Sequence, residues 1–163
     1  MFELKPLSRE GIPKALEKAE RYRLLNEPWE AESICQDVLR IDEANQRALV
    51  TLLLSITDQF GVSARVDEAR ALLPRLQNEY ERAYYAGIIC ERRAKGLVDH
   101  GGPGTSYVAY DWLREAMSLY EKAIEIRPTG NEDGILRWNT CARIIMRHKL
   151  ERGPAHTTEP PLE

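Results

Sequence analysis

The 163-residue chain is poor in the side chains that do chemistry. It has three histidines and three cysteines, and neither set stands at the spacing of metal ligands or of a disulfide framework. His100 falls in a glycine-rich stretch, His148 near the end of a helical stretch and His156 in the tail, with no carboxylate motif around them. No Ser-His-Asp or Cys-His arrangement can be drawn, so no enzyme activity, cofactor or metal is expected. The formal charge of −3 lacks the basic footprint of a nucleic-acid binder. No apolar run approaches the roughly 20 residues that span a bilayer. The opening Met1 to Pro6 has no apolar stretch of the signal-peptide type, and a cytoplasmic location is expected. Only two phenylalanines occur among abundant Leu, Ala, Glu and Arg, a composition suited to helices. Cys35, Cys90 and Cys141 all fall on helical positions expected in the interior, where a free thiol acts as a small hydrophobe.

What the chain does have is a period. A small or aliphatic residue recurs 34 positions apart, at Ala19, Leu53 and Gly87. Each keeps partners four before, one before and three after: Ala15, Lys18 and Tyr22, then Leu49, Leu52 and Ile56, then Ala83, Ala86 and Cys90. A fourth copy, out of step, is Trp138, Cys141, Ala142 and Ile145. A period of this length marks stacked supersecondary units, none able to bury its apolar face alone.

The punctuation gives helical hairpins. The first helix is predicted from about Gly11–Pro13 to Leu25, and the second from Pro28 to Ile41, because Pro28 disfavours helix at Glu27 and suits a first turn. A third runs from about 45 to 59. The fourth is short or kinked near Leu73, since Pro74 interrupts it. Asn78 with Glu81 reads as an N-cap and capping box for the fifth. The stretch 99–105, with its three glycines and a proline, is almost unable to be helical, so it is predicted as the tip of a lengthened hairpin. Ser106 is the expected cap of a sixth helix over about 106–127, and a seventh covers about 132–151. The domain is therefore placed at 1–152, with a disordered tail over 153–163 rich in Pro, Thr and Glu. Gly101 to Thr105 is no phosphate loop, because strand-to-helix context and Gly-Lys-Ser/Thr are both missing. It reads as a turn or a lip beside a groove.

From Ile12 to Ala48 the pattern resembles the tetratricopeptide repeat, with Ala19, Tyr22, Ala31, Cys35 and Leu39 in place and Glu43 where proline is usual. The second-helix pattern returns as Ala116, Tyr120, Ala123 and Pro128, and the first-helix pattern as Trp138, Cys141, Ala142 and Ile145. The resemblance covers about residues 12–150. It implies an all-α right-handed α–α superhelix, a solenoid of about three helical hairpins plus a C-terminal helix. It also implies a concave face lined by the first helix of each hairpin, exposing Leu16, Glu20 and Arg23, then Arg47, Val50, Leu54 and Thr57, then Tyr84, Ile88 and Glu91. The last helix would add Asn139, Arg143, Met146 and Arg147. The partner-binding groove expected from these is Arg23, Arg47, Val50, Leu54, Tyr84, Ile88, Asn139, Arg143 and Arg147.

Asn139, Arg143 and Arg147 share one helical face and could receive an acidic side chain or a carboxylate, although a plain solvated face explains them equally. The carboxylate-clamping branch of the family uses Lys and Asn where this chain has Leu16, Glu20 and Val50, which argues against that specialisation. The function implied is non-catalytic binding of a peptide or partner protein, with no nucleic acid and no membrane. The alternatives are a homo-oligomeric scaffold packing through an apolar last helix, and a small secretion-type chaperone.

Overall fold

Proline and asparagine set the first hairpin. The structure, a computed structural model, describes residues 1–154. Helix α1 (Ile12–Leu24) carries Pro13 in its first turn and ends where Asn26 takes a left-handed φ of 59°. There the Glu27 N–H reaches the Tyr22 carbonyl at 2.8 Å and the Asn26 N–H that of Arg23 at 3.0 Å, a Schellman closure. Helix α2 (Pro28–Ile41) begins at its proline. Asn45 caps α3 (Gln46–Asp58), its side chain accepting from the Ala48 N–H at 2.9 Å.

The rest follows with two shifts from expectation. Helix α4 is only Val66–Arg70, and Pro74 sits in a separate 3-10 turn, Leu73–Arg75, as the interrupted pattern implied. Asn78 caps α5 (Glu79–His100) through the Glu81 N–H. Helix α6 spans Thr105–Ile126, so the tip contracts to 101–104, and Asp99 and His100 are helical. Ser106 is not the cap: Gly104 holds a φ of 83° and turns the chain directly into Thr105, whose hydroxyl donates to the Gly102 carbonyl. Helix α7 (Asp133–His148) stops short of 151 because Lys149 adopts a left-handed φ of 51° and the Leu150 N–H closes on the Ile145 carbonyl. Together with the 3-10 turns Arg9–Gly11 and Leu73–Arg75, these seven helices make the described chain 72% helical, with no strand among the described residues. Most of the predicted tail, 155–163, lies outside the described residues.

Packing follows chain order, α1 on α2, α2 on α3, α5 on α6 and α6 on α7, with α1 also against α3 and α3 against α5. One core fills α1–α4 and takes in Ile89 of α5, a second fills α5–α7, and Leu54 and Tyr85 pack against both. All three members of the 34-residue frame are buried: Ala19, Leu53 and Gly87. A Cβ on Gly87 would stand 2.5 Å from Cε1 of Tyr120, so only glycine permits this approach of α5 and α6. The three cysteines are free and buried. Burial pushes the Cys35 thiol up to about 12 and the Cys90 thiol to about 11, which keeps both in the unreactive thiol form.

Candidate functional site

A surface concavity of about 440 Å³ opens where α1, α3 and α5 lie side by side. Helix α3 forms its floor, because Arg47, Val50, Thr51 and Leu54 recur at three- and four-residue steps and so share one face. Glu20 and Arg23 come from α1, and Glu81 and Tyr85, one turn apart, from α5. Of the predicted groove residues the structure brings Arg23, Arg47, Val50 and Leu54 together here.

Both arginines are engaged within the chain. Arg47 donates through two nitrogens to the Glu20 carboxylate, at 2.7 and 2.9 Å, and these hydrogen bonds hold the Glu20 carboxyl below the ordinary carboxylate range. Arg23 donates to Asp58 at 2.7 Å, and the same carboxylate accepts from Arg92 at 3.0 Å, so one acid ties α1 and α5 to α3. Arg92 Nε is buried without a hydrogen-bond partner. Glu81 is half-buried and forms no ion pair among the described residues.

The other predicted groove residues lie elsewhere. Ile88 is 4% exposed and belongs to the α5–α7 core, which corrects its placement on an open face. Leu16 and Thr57, also expected on that face, are buried. Tyr84 is half-buried beneath Tyr80, Tyr85 and Tyr120, with ring centroids 5.7, 5.1 and 5.8 Å away. Burial raises its hydroxyl to about 12. Asn139, Arg143 and Arg147 do not border the concavity. Asn139 is half-buried, whereas Arg143 and Arg147 are exposed and pair with no carboxylate among the described residues.

The largest correction concerns Glu91, which was expected at the groove surface and is fully buried. Its carboxylate accepts from two guanidinium nitrogens of Arg137 on α7, from Lys95 Nζ at 2.7 Å and from the Tyr120 hydroxyl at 3.1 Å. The Cys141 Sγ lies 3.6 Å from it. Burial alone would raise this carboxyl, but the Arg137 and Lys95 hydrogen bonds outweigh it and hold the group below the ordinary range. Burial pushes the Tyr120 hydroxyl and the Cys141 thiol upward. The sequence signal that could have exposed this cluster is Arg137, four residues before the core Cys141 and so on the same inner face of its helix.

Gly101 to Ser106, Leu97, Val98 and His148 border a shallow cleft at the α5–α6 tip. Among the described residues no three His, Cys, Asp or Glu side chains converge as a metal site requires, and no helix is long and apolar enough to cross a membrane. Comparison with models of known families, with curated proteins and with solved structures returned no match.

Proposed function

We propose that the chain is a non-catalytic protein-interaction module, a short right-handed superhelix of tetratricopeptide-like hairpins that holds a peptide segment of its partner along α1, α3 and α5. The observation that carries this is the concavity itself. It is built from three helices whose core residues repeat at 34 positions, and its floor has the apolar Val50 and Leu54 between polar rims. Such a surface of mixed character suits a segment of chain, with apolar side chains on the floor and charged ones at the rims. Arg143 and Arg147, outside the concavity on an exposed face of α7, offer a second contact for an acidic stretch of the same partner.

The test is a selection of phage-displayed random peptides on the full chain, followed by fluorescence anisotropy with the selected sequences. Val50→Trp should fill the concavity without adding charge and weaken binding at least tenfold, about 1.4 kcal/mol. Unchanged affinity in a variant with native circular dichroism would remove the concavity from the function.

A second reading rests on Leu136 and Met146, which are 60% and 67% exposed on α7. A terminal helix of an array with apolar side chains turned outward suits a self-association surface. Light scattering across protein concentration decides it: a constant monomer mass rejects the homo-oligomer.

A further inference from the structure

The repeat makes the charge of the concavity legible. Adding 34 carries Arg47 of α3 onto Glu81 of α5, and Glu20 of α1 onto Leu54 of α3. Between α1 and α3 this pair of positions holds the Glu20–Arg47 ion pair. Between α3 and α5 the same pair of positions holds Leu54 and Glu81, so an acid stands where Arg47 would, opposite an aliphatic position, and forms no ion pair among the described residues. Arg47 is committed to Glu20 and Arg23 to Asp58. Asp58 also takes Arg92, which leaves one positive charge in excess at that triad, about three helical turns along α5 from Glu81. The concavity is therefore polarised, and its unmatched charge at the Glu81 end is negative.

We propose that this end of the groove selects a basic side chain, a Lys or Arg of the partner peptide with an apolar residue beside it. The proposal rests on reading the concavity as a peptide groove and names what that groove prefers. The stem of such a side chain would lie along Val50 and Leu54, where long basic residues bury their methylenes. The cation would meet Glu81, and it would approach the ring of Tyr85, which stands one turn on from Glu81 on the same helix face. The Tyr85 hydroxyl is raised to about 12, by burial first and then by Glu81, Tyr80 and Asp133, with Arg23 opposing. An acidic anchor here would face Glu81, whose carboxylate forms no ion pair among the described residues.

The experiment uses the full chain and pools of fluorescein-labelled peptides that share randomised Ala, Leu, Ser and Gly flanks and differ only at a central Arg, norleucine or Glu. Anisotropy should rank Arg above norleucine and norleucine above Glu, with at least about a fivefold gap between the first two at low salt that narrows at high salt. Glu81→Gln should erase that gap, and Glu81→Lys should invert the order. Glu125→Gln, an exposed acid on α6, should leave it intact. Equal binding of the Arg and norleucine pools, or a gap that survives Glu81→Gln, overturns the basic anchor while the groove stands. Absence of binding by every pool to a folded chain overturns the groove and the anchor together.

Discussion

Replacing glycine by alanine inside a helix ordinarily stabilises it by about 0.5–1 kcal/mol, because glycine loses more backbone freedom on folding. At Gly87 the sign should reverse. The new methyl would lie 2.5, 2.8 and 3.0 Å from three ring carbons of Tyr120, inside any allowed contact. The ring has nowhere to go, since Tyr120 is fully buried and its hydroxyl is held by Glu91 at 3.1 Å. Relief must come from separating α5 and α6, and overpacking of this kind costs about 1–3 kcal/mol. Subtracting the propensity gain leaves Gly87→Ala less stable by up to about 2.5 kcal/mol, a fall in Tm of up to about 10 °C for a chain of this size. Gly96→Ala is the control on the same helix, because its Cβ would meet only the Phe60 carbonyl oxygen at an ordinary 3.7 Å. That variant should gain about 0.5–1 kcal/mol. Thermal and urea unfolding followed by circular dichroism measure both. A Gly87→Ala protein as stable as Gly96→Ala would refute the close approach of α5 and α6 and the role of the 34-residue frame in it.

Two further outcomes are expected. Glu91→Gln leaves Arg137 and Lys95 without their anion, and because these side chains are 28% and 35% exposed, water relieves part of the loss. The cost should be about 2–3 kcal/mol in urea unfolding, below the usual range for a broken buried pair. The Glu91 carboxyl sits below its ordinary range, so its contribution is complete above that range and is lost as pH falls through the lower folded value; the parent should lose stability more steeply than Glu91→Gln between neutral and strongly acid pH. Arg143→Glu with Arg147→Glu changes two exposed side chains and should shift stability by less than about 0.5 kcal/mol per site. Affinity for a selected peptide bearing an acidic stretch should fall about tenfold, more at low salt, and an unaltered anisotropy titration would exclude α7 from the contact.

The helices were legible because their signals are local. Pro28, Asn78 and Pro74 act within a turn of their own position, and the structure places the boundaries of α2, α5 and α4 accordingly. Ser106 misled because a left-handed glycine can start a helix without any side-chain cap, and composition alone does not say which of three nearby glycines takes that φ. The inward face was also legible, since a residue such as Ala19 or Leu53 is small or aliphatic for a reason that its own helix reveals. The site was only half legible. The frame tells which residues flank the core, but not which flank the next helix covers. Arg23 and its counterparts Thr57 and Glu91 occupy one frame position yet end in different surroundings, Arg23 bordering the concavity and the other two buried. Arg23 also reaches Asp58 of α3 and Glu91 meets Arg137 of α7, so Thr57 and Glu91, expected on an open face, lie inside while Arg23 stays at the concavity.

That position explains how the last helix is fixed. The apolar residues of α7 spread around it, from Ile135 and Leu136 to Ile144 and Met146, and such a surface tolerates more than one docking register. A buried ion pair adds little net stability over apolar packing of the same volume, but it discriminates strongly between arrangements because a wrong one buries an unpaired charge. Sliding α7 by one turn would move Arg137 away from Glu91 and bring Asp133 or Cys141 to its place, leaving Lys95 as the one cation on the carboxylate among the described residues. Only the observed register satisfies Glu91 with Arg137 while Gly134 lies against Ile124 and the Tyr120 carbonyl, where its missing Cβ would come within 3.0 Å of Ile124. The same register keeps Arg143 and Arg147 on the outer face of α7. The acid that seemed to belong to the groove thus acts from inside, setting which cations α7 turns to the exposed face.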